Sequence, residues 1–302
     1  MVTDSPIIYY HGVPIYITDY CFYDPERDQP GWFSASPCRN DMVENIHAHL
    51  HGEIEIHLML RGRMIVTLED HEIILMPGDM LIVNPFERHH GMIPTGEIAE
   101  YIYTLFDLNS FGAACGKAAD ELCRQLFLGE RCFINHIPSG TADISGIAGI
   151  MRRMLGIYEL FDEKPIYSDC ALTGAVCELL GCLLEQFPPA EKSAHNKRRA
   201  EFRRSVKSFI DGHYAEDITT ETTARALGYN KNYFCTLFKE NFGMSFSHYL
   251  CEYRIEISKE YKGQELSLTD IATRCGFPSY GYFTRCFKQH LGVTPSNYFH
   301  SK

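Results

Sequence analysis

The sequence predicts an α+β multidomain chain: a β-sandwich or barrel, then a helical pair, then an all-α domain built from two helix-turn-helix units. Three observations predict it. The first hundred residues break into short apolar runs separated by turn residues, the last hundred carry one helical pattern twice, and the charge is divided unequally between the halves. At 302 residues, 45% apolar and 22% charged, the chain is long enough for two domains and apolar enough to bury a core. A largely disordered chain is excluded.

From Ile15 to about Leu108 the texture is that of strands. Ile54, Ile56, Leu58 and Leu60 alternate with Glu53, Glu55, His57 and Met59 before Arg61-Gly62, and period-2 alternation closing on a glycine reads as a strand and a turn. Met64–Leu68, Glu72–Met76, Met80–Val83 and Glu97–Phe106 repeat the theme, with turn signals at Asp70, Pro77-Gly78 and Pro94. Many short strands at this spacing form a sandwich or barrel. Helical spacing then takes over in Ile144–Phe161 and Ile166–Phe187, the second through Leu172, Val176, Leu179, Leu180, Leu183 and Leu184. This pair reads as core or partner packing that includes a dimer contact. Pro188-Pro189 stops it, because proline cannot continue a helix. The polar, basic stretch 188–199 has no apolar period and reads as a linker.

The formal net charge of −11 speaks against nucleic acid, but its distribution reverses that. Residues 195–302 hold 16 Lys/Arg against 11 Asp/Glu, net +5, whereas residues 1–194 hold 12 against 28, net −16. Such asymmetry joins an acidic domain to a basic one with an anionic partner. The twelve cysteines are scattered, with no Cys-x-x-Cys pair. The N-terminal Met-Val-Thr-Asp-Ser-Pro lacks a basic segment followed by an apolar core, so no secretory signal is expected. Reduced thiols in a cytoplasmic protein are therefore expected. No run approaches the ~18 apolar residues of a membrane helix, so no membrane partner is expected.

Residues 218–249 and 266–298 are two copies of one pattern. In each, an Ala (Ala224, Ala272) precedes a Gly by four residues (Gly228, Gly276). Then come Tyr-Phe (Tyr233-Phe234, Tyr282-Phe283), Phe-Lys (Phe238-Lys239, Phe287-Lys288), a Gly (Gly243, Gly292) and a Tyr (Tyr249, Tyr298). A short helix, a Gly turn and a second helix make a helix-turn-helix: the small Ala lets the helices cross closely, and Gly permits the left-handed turn. The recognition helices fall near Lys231–Asn241 and Tyr280–His290. The helix between, Phe246–Tyr261, would span about 24 Å, a strut for placing them in successive major grooves about 34 Å apart. Phe234, Phe238, Phe283 and Phe287 read as core.

Over its last hundred residues the chain resembles the AraC/XylS family of transcription regulators, above all in IATRCGFPSYGYFTRCFKQHLGVTPSNY. The resemblance implies a domain binding double-stranded promoter DNA with two helix-turn-helix units and no cofactor. Carried over by position, the first recognition helix presents Asn232, Cys235 and Thr236, and the second Tyr280, Gly281, Tyr282 and Arg285. Arg285 suits a bidentate contact to guanine and Asn232 suits adenine. Lys231, Lys239 and Lys288 suit phosphate contacts that set register. Two positions depart from the family pattern: Thr236 stands where Arg is frequent, and Phe299 where a basic residue is common.

In the first half, His49-Leu-His51-Gly-Glu-Ile-Glu55 with Gly62 resembles the first cupin motif, and Gly78-Asp79 through Pro85 to His89-His90 resembles the second. The resemblance implies a jelly-roll sensor domain. Glu55 lies four residues beyond His51, about 13 Å along a straight strand, so the two meet on one ion only if the chain turns at Gly52. With that turn, and with His89 or His90 arriving from a later strand, three imidazoles and a carboxylate can converge, and His49, His51, Glu55 and His90 are the candidate ligands of a divalent metal. The favoured reading of the same side chains is a pocket for a sugar or small organic acid lined by His49, His51, Glu55, His57 and His90, with His47, Glu53 and Arg63 nearby, and the metal is its alternative. Structural histidines are the third possibility.

The expected organisation is a cupin-like effector-binding domain (1–110), a helical dimerisation segment (111–187), a linker (188–199) and an AraC-type DNA-binding domain (200–302). The expected function is a cytoplasmic, homodimeric, non-enzymatic regulator that senses a small molecule, contacts RNA polymerase if it activates, and relays through helices 144–187. No nucleophile–base motif, phosphate loop or dinucleotide fingerprint is present. Metal-dependent cupin enzyme or metal-responsive regulator is the alternative.

Overall fold

The computed structural model describes residues 8–10, 13–21, 50–94, 97, 99–158 and 165–300. They form two compact units divided between residues 201 and 202.

The first unit opens with β1 (Ile8–Tyr10), β2 (Val13–Cys21), β3 (Ile54–Gly62), β4 (Met64–Leu68), β5 (His71–Leu75), β6 (Met80–Val83), β7 (His89–Met92) and β8 (Ala99–Phe106). Then come α1 (Leu108–Cys115), α2 (Lys117–Phe127), β9 (Arg131–Cys132), β10 (His136–Ile137), α3 (Ser145–Tyr158), α4 (Pro165–Gln186) and β11 (Ala190–Glu191). The strands make a six-stranded sheet in the order β1-β2-β8-β3-β6-β10 and a three-stranded sheet β5-β4-β7. Met59, Leu81, Val83 and Tyr101 of the larger sheet share one apolar core with Met64, Val66, Leu68 and Leu75 of the smaller. On its other face, Ile54, Ile56, Leu58, Met80, Ile82 and Phe106 pack with residues of α1–α4 such as Met151, Met154, Val176 and Leu180. Residues 54–59 of β3 are therefore buried on both faces. Its polar positions Glu55 and His57 point into the space between the sheets rather than to water.

α4 is long and apolar enough to cross a membrane by length and composition alone. This departs from the sequence expectation, which counted only unbroken apolar runs. Its Leu172, Ala175, Val176, Leu179, Leu180 and Leu183 lie in the core against the sheet, which accounts for its apolarity.

The stretch expected as a linker is structured. Within 188–199, β11 pairs antiparallel with β9, through Ala190 opposite Cys132 and Glu191 opposite Arg131. A helix, α5 (Ala194–His213), begins five residues before the expected end of the linker.

From Phe202 onward the second unit continues with α6 (Thr220–Ala226), α7 (Lys231–Phe242), α8 (Phe246–Lys259), α9 (Leu268–Arg274), α10 (Tyr280–Leu291) and α11 (Pro295–His300). The duplicated sequence yields duplicated geometry. Gly228 and Gly276 turn with φ of 77° and 78°, and Gly243 and Gly292 with 78° and 73°. The crossing alanines Ala224 and Ala272 are each 1% exposed, and Phe234, Phe238, Phe283 and Phe287 are fully buried. Side chains of Asn230 and Ser279 cap α7 and α10 by accepting bonds from Asn232 N and Tyr282 N.

Candidate effector pocket and nucleic-acid interface

Three imidazoles surround one buried carboxylate. Glu55 Oε2 lies 2.9 Å from His51 Nε2 and 3.0 Å from His89 Nε2, and Glu55 Oε1 lies 2.6 Å from His57 Nε2. The chain bends at Gly52-Glu53 before β3 begins, which brings His51 back onto Glu55 as the spacing requires. Phe86 N donates to His51 O (2.7 Å), tying that bend to the residues before β7. Phe86 itself is buried with φ of 60°, a strained backbone for a side chain of that size.

The two outer rings are oriented from behind. His51 Nδ1–H donates to Glu53 O (3.2 Å) and His89 Nδ1–H to Glu87 O (2.9 Å). A carbonyl can only accept, so both Nδ1 atoms carry protons and each Nε2 faces a carboxylate oxygen. A positive charge completes that contact, as a proton on Nε2 or as a metal ion held by both rings and Glu55. The nitrogens and the carboxylate oxygen of His51, Glu55 and His89 lie within 4.8 Å of one another, the span of a small cation site. Burial opposes the charge of Glu55, but His57, His51 and His89 outweigh it and hold its carboxyl well below the usual range. Burial likewise pushes His51 down, yet Glu55 and Glu53 leave it above the ordinary imidazole value. His57 packs between Tyr101 and Tyr103, ring centroids 5.5 Å away, and among the described residues its buried Nδ1 has no hydrogen-bond partner.

The structure therefore brings His51, Glu55 and His57 together, and of the two candidates His89 and His90 it is His89 that joins them. In the β4–β7 pairing, His89 stands opposite Leu68 and His90 opposite Thr67. Partners across an antiparallel pair share a face. Leu68 is 5% exposed and points inward, so His89 does too, and His90 falls on the other side. Burial and the charges of Arg88 and His89 lower the pKa of His90. The inward phase of β4, legible as Met64, Val66 and Leu68, was the available signal. His49 lies outside the described residues.

In the second unit, Lys231, Asn232, Cys235, Thr236 and Lys239 are exposed on α7, as are Tyr280, Gly281, Arg285 and Lys288 on α10. Tyr282 is half-buried, its ring 6.1 Å from that of Phe277. Thr236 Oγ1 donates to Asn232 O (3.3 Å) within its own helix, and Lys231 Nζ pairs with Glu221 Oε2 at 3.3 Å. Not all of the basic excess faces outward. Arg203 is 2% exposed, and Arg254 donates from Nε to Tyr214 O (2.8 Å) and from Nη2 to Glu216 O (2.7 Å).

The sequence pattern of the AraC-like ligand-binding domain matches residues 40–203, over half of the chain, and that of a helix-turn-helix domain matches residues 223–301. The chain belongs to the AraC family of transcriptional regulators. Among similar proteins, the Msm operon regulatory protein of Streptococcus mutans serotype c is 23% identical over 250 residues, spanning 80% of this chain and 82% of that one. The uncharacterized HTH-type transcriptional regulator YijO of Escherichia coli K12 is 34% identical over 95 residues, spanning 31% of this chain and 34% of its own. A solved structure of ToxT from Vibrio cholerae superposes with a TM-score of 0.53 at 13% identity, over 94% of this chain and 97% of that one, which shows the fold alone. The expected fold class, a cupin-like β-rich domain followed by a helical helix-turn-helix domain, is borne out. The AraC assignment makes the first unit a ligand-binding domain and the second a DNA-binding domain.

Proposed function

We propose that this AraC-type chain is a cytoplasmic, dimeric regulator that binds promoter DNA sequence-specifically, with an affinity set by a ligand held at Glu55. One observation carries the sensor half of this reading: two imidazole Nε2 atoms and one carboxylate oxygen converge while backbone carbonyls hold both rings from behind. This donor set suits a divalent cation on His51, Glu55 and His89, the two-histidine, one-carboxylate combination of transition metals. Such an ion would supply the positive charge that Glu55 and the two Nε2 atoms share. The pocket's own residues do the rest: Tyr101 and Tyr103 exclude water, and His57 keeps Glu55 oriented. A sugar or small organic acid is the second reading, favoured by the unpartnered Nδ1 of His57 between two tyrosine rings. Either ligand regulates only by binding one state of the regulator more tightly than another. If the regulator activates, RNA polymerase is a further partner.

Elemental analysis of protein purified without chelator or affinity metal tests the cation. About one equivalent per chain, lost in the His51→Ala/His89→Ala double variant, supports it; none in the parent overturns it and leaves the organic effector. Selection from random duplex DNA followed by salt titration tests the DNA half. A steep salt slope without sequence preference, or no affinity at all, overturns the regulator reading, and the second result favours a cupin enzyme.

A further inference from the structure

Glu87, Arg88 and His89 are consecutive, and each engages a different part of the first unit. His89 enters the pocket, its Nε2 3.0 Å from Glu55, while its Nδ1–H donates to Glu87 O (2.9 Å). The backbone of Arg88 engages Glu69 twice: Glu69 N donates to Arg88 O (2.7 Å), and Arg88 N donates to the side-chain Glu69 Oε1 (3.1 Å). Glu69 Oε2 in turn accepts from Arg199 Nη2 at 2.8 Å. Glu87 Oε1 accepts from Lys192 Nζ at 3.1 Å, with the two side chains 11% and 7% exposed. Lys192 and Arg199 bracket the start of α5, one uninterrupted helix from Ala194 to His213 whose residues from Phe202 belong to the DNA-binding unit.

We propose that residues 87–89 transmit the state of the Glu55 pocket to the chain entering α5, with the buried Glu87–Lys192 ion pair as the coupling contact. The proposal rests on the Glu55 cluster being the ligand site. Both ends of the pair are anchored, so a shift at one is not absorbed by a loose side chain. Glu87 Oε2 accepts from Asn84 N (3.0 Å), Asn84 Nδ2 (3.1 Å) and Asn135 Nδ2 (2.7 Å), and Glu87 N donates to Asn84 O (3.1 Å), so the carboxylate and its own backbone are held in one turn. On the other side, Lys192 N donates to Glu130 O (3.0 Å), and Arg131 Nη1 donates to Pro189 O (3.0 Å) beside the β9–β11 pairing. Separating two buried charges is costly, so ammonium and carboxylate move together. A ligand that draws His89 toward Glu55 pulls on the Glu87 carbonyl and hence on Lys192.

Hydrogen–deuterium exchange on the full chain tests the coupling. Without added ligand, His89→Ala is expected to speed exchange across 190–201 by about fivefold in the parent but by less than about twofold in Lys192→Met or Glu87→Gln, the non-additivity of coupled sites. Lys192→Arg, which keeps the charge, restores the parent response. Equal increases in all backgrounds, or none in any, overturn the relay. Glu87→Gln keeps the size of the side chain, so the cycle survives if Lys192→Met does not fold. In a second arm, cobalt(II) is the probe and its d–d absorption reports occupancy. Parent and Lys192→Met are expected to show the same absorption, with protection of 190–201 changing only in the parent; a change in both overturns the relay. Failure of cobalt(II) to bind the parent removes the cation reading, and the ligand-free cycle still decides the relay.

Discussion

The guanidinium of Arg285 lies over the ring of Tyr282, 5.0 Å from its centroid. Tyr282 is half-buried against Phe277, while Arg285 is exposed one turn further along α10. The ring thus serves as a shelf for the planar fork and limits the rotamers open to Arg285, which would lower the cost of a base contact there. Arg285→Ala is expected to cost about 1–3 kcal/mol at the preferred site and to relax choice at one base pair. Tyr282→Leu keeps the fork but removes the shelf, for a loss of about 0.5–1 kcal/mol. Anisotropy titrations on the selected duplex and its single-base variants check both. Equal weakening by Arg285→Ala on every sequence would make it a phosphate contact instead.

The neighbouring histidines His89 and His90 separate cleanly by substitution. His89 lies 3.0 Å from Glu55, whereas His90 stands opposite Thr67 on the other face of β7. His89→Ala is expected to abolish metal uptake and His90→Ala to leave it at about the parental stoichiometry. Isothermal titration with zinc(II) on both variants reads the difference, and the reverse pattern would restore His90 to the site.

The two turn glycines predict different costs despite a common φ. An added Cβ at Gly228 meets nothing within 4 Å, while one at Gly276 would stand 2.6 Å from Tyr214 O. Gly228→Ala should cost about 1–2 kcal/mol, the strain of a left-handed alanine. Gly276→Ala adds a clash with backbone that has no rotamer to change, and is expected to cost clearly more. Urea unfolding of both variants provides the comparison, and equal midpoints would refute it.

His290 joins α10 to α8: its Nε2 lies 2.9 Å from Glu256 Oε1 and its Nδ1 3.5 Å from Glu252 Oε1, with His248 and Lys259 beside the same carboxylates. Burial opposes the charge, but the two carboxylates outweigh it and raise His290 from 6.5 to about 9. A raised pKa stabilises the fold fully below the unfolded value and loses that stabilisation as pH climbs through the folded one. The melting temperature should therefore fall between about pH 6.5 and 9 in the parent, and His290→Gln should remove that slope. A parallel slope in the variant would assign the effect elsewhere.

The second unit was readable in advance because its determinants are local and stated twice. Ala, Gly, Phe and the cap residues act within a few positions of one another, and α7 and α10 begin at Lys231 and Tyr280 as the repeat predicts. The pocket was readable in type but not in register, since a shift of one residue between His89 and His90 exchanges the faces of a strand. The order within segment 188–199 was not legible, for a different reason. Its two-residue strand and the polar start of α5 have no apolar period, and the bonds that order them are long-range ion pairs from Lys192 and Arg199 to Glu87 and Glu69. No local pattern announces a partner 105 residues away.

That ordered stretch also decides where the chain resists cutting. Lys192, Lys197, Arg198 and Arg199 offer trypsin four sites in a polar sequence that looks open to attack. A protease needs several residues of extended, unpaired backbone, whereas here Lys197, Arg198 and Arg199 lie in α5 and Lys192 follows β11 directly with its N–H bonded to Glu130 O. Digestion of the intact protein therefore spares the junction until the first unit itself begins to open, and the DNA-binding unit is not released by clipping there.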